Sequence, residues 1–95
     1  MACYILADIE VTDPDEYQKY GQQVTATVEQ YDGKYLVRGG QPETLEGNWK
    51  ASRIVILEFP SVEQAKAWYD APEYSAITGI RQRASTGSLL LVQGI

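Results

Sequence analysis

The chain has 95 residues, 44% of them hydrophobic, and a net charge of −5 from 13 acidic and 8 basic side chains. That length suits a single domain over residues 1–95, near the lower end of what folds unaided, where association with a second copy is a natural route to more burial. The acidic balance argues against a nucleic-acid groove and against anionic membrane surfaces, both of which call for a basic patch.

Histidine is absent, which removes the commonest metal ligand and the commonest general base together. Cys3 is the single cysteine, so there is neither an internal disulfide nor a multi-cysteine metal site. No basic N-terminal region is present, and no apolar run approaches the about 18 residues of a membrane span. The expectation is a soluble cytoplasmic protein without metal or cofactor.

Residues 3–11 alternate at period two, with Cys3, Ile5, Ala7, Ile9 and Val11 forming an apolar row opposite Tyr4, Leu6, Asp8 and Glu10, which predicts a strand. Asp13-Pro14-Asp15-Glu16 carries an N-cap, a first-turn proline and acidic residues at the positive end of the dipole. The helix that follows has an apolar stripe at Tyr17, Tyr20, Val24, Val28 and Tyr31, and Asp32-Gly33 ends it, with the glycine expected in left-handed backbone. A second strand spans about 34–39. An extended loop runs from 41 to 51, long enough to be functional or partner-facing.

Arg53 to Phe59 alternates again, with Val55, Leu57 and Phe59 on one face and Ile54, Ile56 and Glu58 on the other. Ser61-Val62-Glu63-Gln64 is a capping-box pattern opening a helix to about Asp70, with Val62, Ala65, Trp68 and Tyr69 expected to be buried. Pro72 interrupts, and a second helical piece carries Tyr74, Ile77, Ile80 and Arg81, weakened at Gly79. The last strand is expected at Ser88–Gln93. The order β-α-β-β-α-β predicts a ferredoxin-like α+β fold, a four-stranded antiparallel sheet with helices on one face.

Helices that cover one face leave the other exposed. The expected helix-facing rows are Cys3/Ile5/Ala7/Ile9, Tyr35/Val37, Val55/Leu57/Phe59 and Leu90/Val92. The uncovered face then carries Leu36, Arg38, Ile54, Ile56, Leu89, Leu91 and Gln93 beside Tyr4, Leu6, Asp8, Glu10 and Glu58. So apolar a face predicts a homodimer through it. On that face Arg38 either pairs with Asp8 or Glu10 or faces a solvent-filled cavity where it could hold an anion.

Arg38-Gly39-Gly40, Leu45-Glu46-Gly47-Asn48-Trp49 and Arg53 to Pro60 are similar to a small bacterial family, domain of unknown function 1330, in the dimeric α/β-barrel superfamily. So are Ala65, Trp68-Tyr69, Pro72-Glu73-Tyr74, Arg81 and Leu90 to Gly94. The resemblance covers nearly the whole chain. It implies a ferredoxin-like subunit whose sheet packs on a twin to form a dimeric α/β barrel. Elsewhere in that superfamily are cofactor-free monooxygenases, haem-degrading enzymes, muconolactone isomerases and stress-response proteins, and the histidine-dependent among them are ruled out as models.

Trp68, Tyr69 and Tyr74 flank Pro72 with Arg81 two turns on, an aromatic cluster with one arginine that could hold a small anionic or aromatic ligand, while Arg38 is a separate ligand-binding candidate on the uncovered sheet face. The bland alternative is a core Trp68 and Tyr69, with Tyr74 anchoring the kink and Arg81 paired to Glu73 or the sheet edge. Asp8, Glu10 and Glu58 are the candidate general bases, Asp8 and Glu58 foremost, although structural roles suit them as well. Gly39-Gly40 leads into a loop rather than a helix, so it is no phosphate loop. Three functions fit: a cofactor-free enzyme on a small metabolite, a non-catalytic binding or stress-response dimer, and a purely structural interaction module.

Overall fold

The structure, a computed structural model, describes residues 1–95. Strand β1 (Cys3–Val11) leads into helix α1 (Pro14–Gln30), which starts where its capping signal lies: Glu16 N–H donates to Asp13 Oδ1 at 3.2 Å. At the far end the left-handed residue is Asp32, at φ 64°, not Gly33. Gly33 is small for a different reason, since a Cβ there would lie 2.6 Å from the Phe59 ring. Strand β2 (Lys34–Gly40), strand β3 (Ile54–Phe59) and helix α2 (Val62–Asp70) follow, the last capped by Ser61 Oγ on Gln64 N–H. Pro72 then opens helix α3 (Pro72–Ala84), which runs unbroken through Gly79. Strand β4 (Ser85–Gln93) begins earlier than the turn-like Ser85-Thr86-Gly87 suggests. No helix is long and apolar enough to cross a membrane.

The strands form one antiparallel sheet in the order β2-β3-β1-β4. This is the ferredoxin-like topology. It is not a barrel: the sheet is open, with β2 and β4 at opposite edges and not paired to each other. Four strands cannot curl far enough to meet, since even a barrel filled by its own side chains takes about eight. The dimeric α/β barrel implied by resemblance is corrected to an open sheet.

Two face assignments are also corrected. In β4, Leu89 and Leu91 pair with Ala7 and Ile5, so they share the helix-facing side, while Leu90 and Val92 pair with Leu6 and Tyr4 on the open side. A run of Leu-Leu-Leu-Val has no polar alternation, so period two could not tell its faces apart. In β2, Tyr35 pairs with Leu57, but Val37 pairs with Ile56 and Arg38 with Val55. One extra residue, a β-bulge at Leu36, inverts Val37 and Arg38, and a second shift between Arg38 and Gly40 restores the original parity at Gly40, which pairs with Ile54. Arg38 therefore lies on the helix side and Val37 on the open side.

The core is the β1 row Cys3, Ile5, Ala7 and Ile9 packed on Val24 and Val28 of α1, Ala65 and Trp68 of α2, and Tyr74 and Ile77 of α3. Trp68 ties these layers together. Its ring lies 4.1 Å from that of Tyr74 and 5.4 Å from that of Phe59, and its Nε1–H donates to Thr27 Oγ1 at 3.0 Å. Tyr69, expected in the core, is 45% exposed, and Val62 is half-buried. Trp68→Ala should destabilise the fold by about 3–5 kcal/mol. Trp68→Phe keeps an aromatic ring and mainly loses the N–H, leaving a smaller loss of about 1–3 kcal/mol. Chemical denaturation of both variants checks the ordering, and equal losses would contradict a packing role for the indole.

Candidate functional site

Between α1, α3 and the helix-facing side of the sheet lies a cavity of about 60 Å³. Its floor is apolar: Ile5, Ala7 and Ile9 from β1, Val55 and Leu57 from β3, Val24 from α1 and Leu89 from β4. Tyr17, Tyr20, Tyr35, Trp68 and Tyr74 add aromatic walls. The charged lining is Arg38, Arg53 and Arg81, with no aspartate or glutamate.

Each arginine reaches the cavity for a local reason. The bulge in β2 turns Arg38 inward, where its Nη2 donates to Thr25 Oγ1 at 2.9 Å and its Cζ sits 4.6 Å above the Tyr35 ring. Arg53 keeps the alternation of Val55, Leu57 and Phe59, and its carbonyl accepts from Ile9 N–H at 2.9 Å. Its guanidinium passes over Gly39, where a Cβ would stand 2.7 Å from Arg53 Nε, and its Cζ lies 5.5 Å from the Tyr17 ring centre. Gly39 has φ 73°, so both the backbone and the guanidinium require glycine there. Arg81 projects from the second half of α3.

None of the three makes an ion pair; the salt bridges are Lys19–Glu16, Lys34–Glu58 and Arg83–Glu16. Nε of Arg53 and of Arg81 is buried without an acceptor. Such groups are rare in folded proteins and concentrate where a site expects a partner.

The remaining polar atoms are phenols. Tyr20 and Tyr74 share a hydroxyl–hydroxyl hydrogen bond of 2.9 Å. Burial pushes the Tyr20 hydroxyl far up, reinforced by Tyr74, and burial also raises Tyr17 although Arg53 and Arg81 oppose it. Burial works against the charge on Arg81, but the tyrosines around it, Tyr74 first and then Tyr20 and Tyr69, together raise its pKa. At neutral pH the Tyr17 and Tyr20 hydroxyls stay protonated and the Arg81 guanidinium stays charged. None of them accepts a proton.

Of the residues singled out from sequence, Arg38, Trp68, Tyr74 and Arg81 meet in this cavity, whereas Tyr69 lies outside its lining. Asp8 and Glu58 lie on the opposite face of the sheet. Glu58 pairs with Lys34 at 3.2 Å and accepts from the Tyr4 hydroxyl, whose pKa it raises. The expected pairing of Arg38 with Asp8 or Glu10 is not formed, because the bulge puts them on different faces. Arg81 is not paired to Glu73, which accepts from Tyr31 Oη at 3.1 Å. Arg53, Tyr17, Tyr20 and Tyr35 were not recognised as site residues. For Arg53 the signal was there, since it has the same parity as the buried Val55, Leu57 and Phe59.

Asp8 has a different task. Trp49 Nε1–H donates to its Oδ2 at 2.8 Å and Ser52 N–H to its Oδ1 at 3.0 Å, which straps the 41–51 loop over the open sheet face. The Ser52 and Trp49 hydrogen bonds hold its pKa below the ordinary carboxylate range. A depressed carboxylate pKa means the strap is held at neutral pH and is lost only as pH falls through that lowered value. In an NMR titration the Trp49 indole N–H shift should therefore move below about pH 3.9, the unperturbed aspartate value. Asp8→Ala should speed tryptic cleavage after Lys50, and unchanged cleavage would show the strap is held by something else.

Solved structures of similar fold are informative about architecture. A protein of unknown function from Rhodopseudomonas palustris, RPA0582, superposes with a TM-score of 0.80 at 19% identity, over 99% of this chain and 82% of that one. SnoaB, a cofactor-independent oxygenase from Streptomyces nogalater, matches with a TM-score of 0.64 at 10% identity, over 99% and 93%. A dimeric ferredoxin-like protein of unknown function from Thermobifida fusca matches at 0.59 and 13%, over 99% and 92%. At such identities the likeness is one of fold. No curated protein matches the sequence. The family model described as Domain of unknown function (DUF1330) matches residues 2–95, and with its βαββαβ order the chain belongs to that family.

Proposed function

We propose that this protein binds a small organic anion in the cavity between its helices and its sheet. The observation that carries the proposal is three arginines around one cavity with no carboxylate among them and two guanidinium Nε atoms buried without acceptors. Guanidinium stays charged at any physiological pH, so the part-buried forks of Arg53 and Arg81, each with an unmatched Nε, are suited to an anion. The size supports a short carboxylate over an aromatic one: an apolar cavity that takes benzene has about 150 Å³, against about 60 Å³ here.

Binding without chemistry is the reading the lining favours. An enzyme that moves a proton needs a base within hydrogen-bond reach, and Asp8 and Glu58 are on the far side of the sheet. The single free cysteine, Cys3, is buried, which suits the reducing conditions of the cytoplasm. A second copy of the chain on the open sheet face is the partner we propose. Leu36, Leu90 and Val92 are about half exposed there (50%, 55% and 49%), beside Leu6, Ile54 and Ile56. The Thermobifida fusca relative, described as dimeric, has the same fold.

Calorimetry with acetate and propionate tests the site. Both should bind, and Arg53→Gln should weaken them at least tenfold, the scale of one charge-assisted hydrogen bond. Gly21 lines the cavity and has nothing within 4 Å of a Cβ placed on it. Gly21→Leu should thus fill the space and abolish binding while raising helix stability by up to about 1 kcal/mol. Absence of binding to the unaltered protein at tens of millimolar would sink the proposal. For the dimer, sedimentation should show two chains, and Ile56→Asp should separate them by placing an unpaired charge at the contact; a monomeric parent protein would contradict it.

A further inference from the structure

The three cations are more than a monocarboxylate needs. One carboxylate in the cavity leaves two guanidinium charges unanswered, since no aspartate or glutamate lines it and none of Arg38, Arg53 and Arg81 is in a salt bridge. Arg38 is exposed at the rim and met by water, but Arg53 and Arg81 are part-buried, each with an Nε that lacks an acceptor, and leaving either fork unanswered is costly. The chain as a whole carries −5, so it repels anions at long range, yet it collects three of its eight basic residues around one opening. That arrangement favours a ligand of higher charge.

The cations also approach from two sides. Arg38 and Arg53 come from the adjacent strands β2 and β3, in the stretch where the Arg53 guanidinium crosses Gly39, the neighbour of Arg38. Arg81 comes from α3, beside Tyr74 and its hydroxyl partner Tyr20. Tyr17 lines the same cavity, its ring centre 5.5 Å from Cζ of Arg53. Between them the floor is apolar, which suits a hydrocarbon stem and does not suit a tetrahedral anion that exposes oxygen in every direction. A volume of about 60 Å³ admits roughly four to six water-sized groups at 10–15 Å³ each. With Arg38 exposed at the rim, a chain of three or four carbons fits with one end inside and the other at the mouth.

We propose that the ligand is a short dicarboxylate, one carboxylate held by Arg38 and Arg53 on the strand side and the other by Arg81 on the helix side. This rests on the small-anion reading above and adds the charge and the two-headed shape. Guanidinium forks match planar carboxylates in bidentate geometry, so two heads can engage the three forks without rearranging the fold.

The test is calorimetry at fixed ionic strength with malonate and succinate, with propionate and butyrate as monocarboxylates of equal carbon number, and with inorganic phosphate. The expected result is at least tenfold tighter binding of each dicarboxylate than of its partner, and weaker binding of phosphate. Arg81→Gln should reduce that preference to about twofold or less, whereas Arg81→Lys, which keeps the charge, should retain part of it. Equal affinity of the unaltered protein for mono- and dicarboxylates would overturn the dicarboxylate while leaving small-anion binding intact, and phosphate binding as tightly would overturn it too. Failure of every ligand to bind would overturn both. The comparison within the unaltered protein decides the matter even if Arg81→Gln does not fold.

Discussion

The contact between Trp68 and the layers around it is the constraint on which the rest of the structure depends. One indole stacks on Tyr74 of α3 and Phe59 of β3 and donates to Thr27 of α1. In so small a domain the β1 row Cys3/Ile5/Ala7/Ile9 cannot be covered by either long helix alone. Trp68 supplies the missing bulk at one end and fixes how far α1 and α3 stand from the sheet.

Away from Trp68 the same spacing leaves a gap, and the gap is lined by the side chains that are amphipathic rather than wholly apolar. Tyrosines turn their rings to the core and their hydroxyls to one another, as Tyr20 and Tyr74 do. Arginines lay guanidinium planes against those rings, Arg38 on Tyr35 and Arg53 on Tyr17. Four of the chain's seven tyrosines, Tyr17, Tyr20, Tyr35 and Tyr74, line this gap. The wet end of the core is built of residues that tolerate both media. Arg53 is also tied to the sheet's other face, because Ser52, next to it, is held by Asp8 together with Trp49. Asp8, a carboxylate considered as a base, anchors the loop that delivers a cavity arginine.

Element order, caps and the faces of β1 and β3 were legible because each has strict period-two contrast or a local capping signal. Trp68, Tyr74 and Arg81, singled out as one aromatic and cationic cluster, and Arg38, singled out separately on the other face, all line the cavity. Arg38 was placed on the wrong face because a bulge adds one residue without altering the composition of the strand. The faces of Leu89 to Val92 were inverted because a wholly apolar run looks the same at either parity. Arg53 was missed as a site residue, although its parity with Val55 was visible, because a charged residue on an apolar row is normally read as the end of the strand.

What the sequence by itself determined is therefore the local physics: where helices begin and which rows of β1 and β3 are apolar. Tertiary structure decided which charges meet. Register is set by pairing between strands distant in the chain, and a one-residue bulge at Leu36 outweighs any pattern within β2. It also decided that the sheet stays open, since closure depends on strand number and on the partners of the edges rather than on any single strand. The three arginines come from three separate elements, and only the packed layers bring them to one cavity.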